Sequence, residues 1–318
     1  MERTTAAALA NWNGMKYLGR CLRALFAQTS PLAEVVVVDN GSTDGSKEWL
    51  REHYPQVRLL ENAANLGFAA GYNQAIAACT APYILVLNTD VFLEPDFIAQ
   101  AMAGFAHDPR VAAVTGRVFQ EATGELLNGG FFLRRQIRIR HSANLEVPEE
   151  VFGATGAVTL FRRQALEDLK VEGEYFDESY FGYGEDIDLA WRAQLWGWKV
   201  RYQPGPLAHH VGSGSLDGRL RFAEKPPFFQ RHVLKNRYLT LIKNASPGVF
   251  LYLLPSLLLT EVLLWPYLLL RWPWRAPYLA LALVDVCGLL STALRRRRCI
   301  QGRRQVSSAY IRRFFRGL

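Results

Sequence analysis

Short apolar runs alternate with helical periodicity through the first hundred residues. Thr5–Ala10, Glu34–Asp39, Val57–Glu61 and Tyr83–Leu87 are runs of strand length, and EVVVVD at 34–39 stays apolar up to its final carboxylate. Lys16–Gln28, Ser46–Tyr54 and Phe68–Ala78 carry the spacing of helices between them. This rhythm predicts an α/β fold, a mostly parallel sheet flanked by helices. Such sheets bind ligands at the carboxyl ends of their strands. Polar clusters fall at three of those ends: Asn11-Trp12-Asn13-Gly14, Asp39-Asn40-Gly41-Ser42 and Asn88-Thr89-Asp90.

The middle of the chain is mixed. Strand-like pieces at Val111–Phe119 and Ala157–Phe161 surround a basic, aromatic stretch, Phe131–Arg140, and a helix begins near Asp186 and stops before Gly197. From Pro226 the pattern changes. Residues 249–270 are largely apolar with one charge, Glu261, and residues 276–294 are apolar with one charge, Asp285. Both reach the length of a membrane span, about 18–20 residues. Trp272 and Trp274 in the linker between them suit a membrane interface. Pro255, Pro266 and the two acids weigh against full spans. A hairpin with both ends cytoplasmic, shallow interfacial helices and core helices of a second soluble domain all remain open. The predicted division is a catalytic domain over 1–220 and a helical, membrane-associating region over 221–318 with an Arg-rich end at 295–318. On that division a chain cut near Asn244 keeps every motif and is expected to be soluble and still bind its ligand.

Charge sharpens the division. Residues 1–218 carry 19 Lys/Arg against 26 Asp/Glu, and residues 219–318 carry 18 against 3. A basic tail suits nucleic acid or an anionic membrane. The forty apolar residues beside it exclude nucleic acid as the partner. Four scattered cysteines form no CxxC pair, which predicts a reducing compartment without disulfides. The N-terminus runs into the first strand without a signal region, so the body is expected at the cytoplasmic face of the cell membrane.

Several residues could carry chemistry. Asp39 ends an apolar strand, where its carboxylate would emerge at the sheet edge to meet a ribose or base; a turn aspartate before Gly41 reads equally well. Asp90 after YILVL could hold a hard cation on a diphosphate, or simply close a turn. Glu185-Asp186-Ile187-Asp188 opens a helix, as capping acids commonly do. Functionally, one of these carboxylates would take an acceptor hydroxyl's proton, with 176–184 as a mobile aromatic wall. A His209-His210 pair could add a second ligand to the cation of Asp90.

Taken together, NWNG (11–14), VVVVDNGSTDGS (35–46), NLGFAAGYN (65–73), YILVLNTD (83–90), GATGA (153–157), FDESYFGYGEDIDLAWR (176–192) and HHVGSGS (209–215) resemble glycosyltransferase family 2, and within it the rhamnosyltransferase-like bacterial branch. The likeness covers roughly residues 5–215. It implies a GT-A-type fold and an inverting transfer from a nucleotide diphosphate sugar, dTDP-rhamnose first. The implied acceptor is a saccharide, in keeping with the tail a lipid-linked one, and the implied activity serves cell-surface polysaccharide synthesis. It further implies Mg²⁺ or Mn²⁺ at Asp90 and His210, Asp186 as base with Glu185 beside it, and Asp39 on the nucleoside. Asn11, Asn40, Asn65, Gly67, Asn73 and Asn88 fall in the implied donor pocket. Two positions depart from the pattern: Asn88 stands where the broader family has Asp, and Tyr72 where the branch usually has Asn. Two rival readings are a nucleotidyltransferase, which lacks support from any early Gly-rich basic loop, and a silent nucleotide-binding scaffold, against which Asp90 and Glu185-Asp186 stand intact. No GxGxxG follows the first strand, which sets aside a dinucleotide oxidoreductase.

Overall fold

A computed structural model describes residues 4–106, 108–142, 145–212 and 226–317. Residues 213–215 of the HHVGSGS motif, and Lys225, lie outside the described residues. The amino-terminal half follows the apolar pattern: β1 (Thr5–Asn11), α1 (Met15–Phe26), β2 (Glu34–Asp39), α2 (Ser46–His53), β3 (Arg58–Glu61), α3 (Phe68–Ala78) and β4 (Tyr83–Leu87). β1 pairs in parallel with β2 and β4, and β2 with β3. Side chains alternate between faces along each strand. Ala6, Ala8, Val36 and Val38 pack toward α3, while Ala7, Leu9, Val35 and Val37 pack toward α1.

Past β4 the chain adds elements too short for a clear period. These are β5 (Val91–Leu93), α4 (Phe97–Met102), β6 (Val111–Gln120), β7 (Leu126–Asn128), β8 (Phe131–Arg134), β9 (Arg138–His141), β10 (Glu149–Val151), β11 (Val158–Arg162), α5 (Arg163–Asp168), α6 (Glu185–Leu195) and β12 (Lys199–His210). The main sheet runs β10-β12-β6-β11-β4-β1-β2-β3. β11 is antiparallel to both β4 and β6, and β12 is parallel to β6. The basic stretch at 131–140 is a hairpin, β8–β9, whose Phe131, Phe132 and Leu133 are buried while its arginines point outward.

The carboxyl-terminal region is helical: α7 (Pro227–Asn244), α8 (Pro247–Arg271), α9 (Ala276–Gly302) and α10 (Ser308–Arg312). It does not stand apart from the sheet. Leu241, Ala245, Val249, Leu253, Ile300, Ile311, Phe314 and Phe315 share one apolar core with α3 and α6. The Arg-rich end continues α9 and meets the acidic body. Arg295 and Arg296 pair with Glu172, Arg296 also with Glu174 and Asp177, Arg303 with Asp168, Arg313 with Glu150 and Arg316 with Glu149. Arg297 and Arg312 donate to backbone carbonyls. Much of the charge contrast between the two halves is therefore satisfied inside the chain rather than held for an outside partner. The exposed pairs among these are worth about 0–1 kcal/mol each, so it is the shared core, with the buried Arg296–Asp177 pair, that welds tail to body.

Candidate active site

The strand directions bring the candidate residues to one edge. β4, β6 and β12 run the same way as β1–β3, and β11 runs against them. The carboxyl ends carrying Asn11, Asp39, Asp90 and His210 therefore share an edge with the loop 153–157 that feeds β11. The Asn88 amide donates to the Ala157 carbonyl at 2.8 Å, and the Gly156 amide reaches Asp186 Oδ2 at 3.4 Å, joining the β4 end to α6.

On the β1–β2 side, polar residues form a hydrogen-bonded network at this edge. Asp39 is fully buried, and its carboxylate accepts from Asn11 Nδ2 at 2.9 Å and from the Ser42 amide at 2.8 Å. The carboxylate thus turns inward, because the 40–46 loop folds back over the strand end and supplies its hydrogen bonds. Asn11, also fully buried, donates further to Ser46 Oγ at 2.9 Å. Asn40 gives its amide hydrogens to Asn65 Oδ1 and the Gly67 carbonyl and accepts from Asn62 and the Leu66 amide. Asn73 is a staple: its Nδ2 donates to the Phe176 carbonyl and Glu178, and its Oδ1 accepts from the Phe176 amide. With both amide hydrogens in use, Asn73 fixes α3 to the 176–178 segment. Gly67 has φ +90°, and a Cβ there would meet the Phe181 carbonyl at 2.5 Å, so only glycine allows this approach. Asn65 and Asn88 keep partly open side chains, and Asn88 Oδ1 accepts from Tyr72 at 2.8 Å. Tyr72, the residue that departs from the branch pattern, also bonds the Leu87 carbonyl, so its hydroxyl braces the end of β4.

The ladder of β5 with β12 explains how Asp90 meets His210. Val91 opposes His210, and the Val211 amide donates to the Asp90 carbonyl at 3.0 Å. His210 Nε2 then lies 3.3 Å from Asp90 Oδ1. Neighbouring ligands on an octahedral cation with bonds near 2.1 Å sit about 3 Å apart, so this pair fits two positions of one ion. Among the described residues no group of three or more His, Cys, Asp or Glu gathers at one point. A cation here would complete its shell with phosphate oxygens and water, as small hard cations prefer. His209 faces elsewhere, toward Glu94 at 3.2 Å.

Glu185 and Asp186 open α6 on the same edge. Asp186 accepts from the Ile187 amide at 2.8 Å, and burial raises its pKa. Glu185 is buried, its Oε2 has no hydrogen-bond partner among the described residues, and burial beside Asp186 pushes its pKa up to about 8. Asp188 belongs elsewhere: it is buried between Arg192 and Lys243, which hold its pKa down against the effect of burial. The Glu185 shift fixes a pH dependence. A glutamate exposed by unfolding titrates near 4.5, and the folded chain holds this proton to about 8. Folding takes up a proton in that window, so this group's effect is to lower stability as pH rises from about 4.5 to about 8. Glu185→Gln cannot ionise, and its melting temperature relative to wild type is expected to climb between pH 5 and pH 8.5 in thermal unfolding. An unchanged difference would mean that Glu185 is already ionised in the folded chain.

The aromatic wall before α6 is pinned by helices of the tail, a role the sequence pattern did not signal. Phe181 and Tyr183 have positive φ (64° and 70°), which costs about 1–3 kcal/mol each for residues with a side chain. Asn236 of α7 holds this shape by donating to the carbonyls of Tyr180, Gly182 and Tyr183 at 3.0, 2.8 and 2.7 Å. His232 stacks on Phe181, and the Phe68 amide bonds the Phe181 carbonyl. Beneath lies a buried charge cluster: Lys243 of α7 bridges Asp177 and Asp188, and Arg296 of α9 reaches Asp177 at 2.5 Å. Ser42 and Ser46 were within reach of sequence reasoning, inside a motif already singled out. Asn236, Lys243 and Arg296 were not, because their spacing along the chain carries no sign of the loop they serve.

Fold and edge together define the class, a GT-A-type glycosyltransferase. Residues 8–170 match the family described as Glycosyl transferase family 2, and the chain belongs to that family. Over 224 residues it is 32% identical to an N-acetylglucosaminyl-diphospho-decaprenol L-rhamnosyltransferase of Mycobacterium tuberculosis, a match covering 61% of this chain and 72% of that one. A poly-beta-1,6-N-acetyl-D-glucosamine synthase of Staphylococcus aureus is 22% identical, over 82% of this chain and 62% of its own. Among solved structures, GalNAc-T7 with UDP, GalNAc and Mn²⁺ superposes with a TM-score of 0.61 at 15% identity, over 76% of this chain; the chain spans only 48% of GalNAc-T7. The mannosyltransferase PcManGT of Pyrobaculum calidifontis with GDP-Man and Mn²⁺ gives 0.53 at 20% identity, over 97% of this chain and 84% of that one. At such identities these structures speak for the fold.

Proposed function

We propose that this glycosyltransferase moves a hexose, with rhamnose from dTDP-rhamnose the leading candidate, onto a lipid-linked saccharide with inversion at the anomeric carbon. The observation that carries the reading is the placing of Glu185-Asp186 and of the Asp90–His210 pair on one sheet edge, linked through the 153–157 loop. Asp186 accepts the proton of the acceptor hydroxyl as that oxygen attacks the anomeric carbon, on the face opposite the departing diphosphate. Asp90 and His210 hold Mg²⁺ or Mn²⁺, which when bound would stabilise the charge on the leaving diphosphate. Asn65 and Asn88 contact the donor directly, and the Asn11–Asp39–Ser42 and Asn40 networks shape the nucleoside wall. The lipid-linked acceptor is supported by the name of the mycobacterial relative, and a membrane surface by the exposed apolar faces of α8 and α9.

A thermal-shift screen of nucleotide sugars with either cation tests the donor. A ligand that binds only the folded state at a hundred times its Kd adds about 2.7 kcal/mol, so dTDP-rhamnose is expected to raise the melting temperature by several degrees. No shift with any nucleotide sugar would overturn the donor reading. Asp90→Ala is expected to weaken cation-dependent binding of dTDP-rhamnose at least tenfold while leaving thymidine binding within about twofold, the share of affinity that does not pass through phosphate charge. EDTA should stop transfer and added Mn²⁺ or Mg²⁺ restore it; full activity in chelator would contradict the cation's role.

A further inference from the structure

We propose that the α8–α9 hairpin lies flat in one leaflet, its outer apolar face in the lipid, and does not cross the bilayer. The inference rests on the membrane reading proposed above and concerns how the membrane is met.

Each hairpin helix has two faces. On α8 the residues turned inward are Val249, Leu253, Leu257, Glu261, Leu264 and Leu268; on α9 they are Leu279, Ala282, Asp285, Leu289, Ala293 and Arg296. Both stripes follow the three-to-four spacing of one helix face, from the base of the hairpin to within a turn of its tip. What covers them is the body and α7. Leu234 of α7 packs with Leu268, Leu279 and Ala282, and Trp272 at the tip packs against the same cluster. Glu261 pairs with Arg237 and Asp285 pairs in bidentate fashion with Arg231, both arginines being on α7.

If the hairpin crossed the bilayer, α7 would have to follow it nearly to the far side. Arg231, Lys235 and Arg237 would then sit in hydrocarbon, where charged side chains are strongly disfavoured. Asn236 on the same helix is bound to the loop before Glu185, so the active-site wall would be drawn in as well. Lying flat avoids this: α7 and the body stay on the water side, and the opposite face enters the lipid. That face suits the role. Leu251, Leu258, Val262 and Leu269 are exposed at positions seven, four and seven residues apart, a single line along α8. Leu283, Val284 and Leu290 extend the surface across α9. Glu261 and Asp285 are the only acids after residue 224, and both turn inward. Arg271 near the tip and Arg298 near the base are exposed, so the outer face complements an anionic leaflet.

Depth measurement tests the orientation. Spin labels are placed singly at Leu251→Cys, Leu258→Cys and Leu269→Cys in full-length protein carrying Cys287→Ser and Cys299→Ser, with retained nucleotide-sugar binding as the check on folding. The variants are bound to vesicles of phosphatidylethanolamine and phosphatidylglycerol, and depth is read by electron paramagnetic resonance power saturation. The three labels are expected at one depth, about 5–10 Å below the phosphates as for other interfacial helices. Residues 251 and 269 are about 27 Å apart along the helix, so a spanning hairpin would spread the labels across the midplane. That spread overturns the flat orientation and leaves membrane association standing. Failure of the unlabelled protein to bind the vesicles overturns both.

Discussion

Asp186→Asn is expected to keep the fold and donor affinity while losing roughly 10²–10⁴-fold in transfer rate, the usual worth of a positioned general base. The carboxamide preserves shape and can still accept from the Ile187 amide, giving up the longer 3.4 Å contact with the Gly156 amide, so the loss falls mainly on proton removal. Glu185→Gln should bind donor normally with a smaller loss of rate. Burial raises the pKa of both carboxylates, and Glu185, pushed up to about 8, is the member of the pair that holds its proton near neutrality. Steady-state transfer and donor titration on the two variants separate these roles. Asp186→Asn retaining more than a third of wild-type turnover would remove it from the chemistry.

The largest expected loss of stability comes from Lys243→Met. Lys243, Asp177 and Asp188 each have side chains at most 5% exposed, and the lysine is the cation the two carboxylates share. Removing one partner from a buried ion pair costs about 3–5 kcal/mol, and although Asp188 keeps Arg192 and Asp177 keeps Arg296, the two buried carboxylates lose the cation they share. Total stabilities run about 5–15 kcal/mol, so this variant should lose much of its margin in urea unfolding. Arg303→Met breaks an ion pair that is about 40% exposed on both sides and should cost less than about 1 kcal/mol. Equal effects of the two substitutions would contradict the buried-cluster account. The same cluster bears on a chain cut at Asn244. Such a chain keeps every motif, yet it loses Arg296, Ile300, Ile311, Phe314 and Phe315 from the shared core. It is now expected to unfold or aggregate rather than remain a competent soluble enzyme.

The sequence by itself determined the amino-terminal sheet, the polar strand ends and the family. Strands such as EVVVVD are buried on both faces, and a run of that kind has few other places to go in a fold. Motif order supplied Asp90, His210, Glu185 and Asp186 as candidates. Two apolar segments in the tail were equally plain. Their faces were not, because residues 249–270 and 276–294 are apolar nearly all round and periodicity hides which side meets protein. Only the tertiary structure decided that Glu261 and Asp285 turn inward to arginines of α7. It alone turned Asp39 inward and made Asn73 a staple, since a side chain's orientation at a strand end depends on which loop folds over it. It also gave the basic tail its acidic partners within the same chain. Charge is visible along a sequence, but the distance between charges is not, and at an ion pair the energy depends on that distance and on the water left around it.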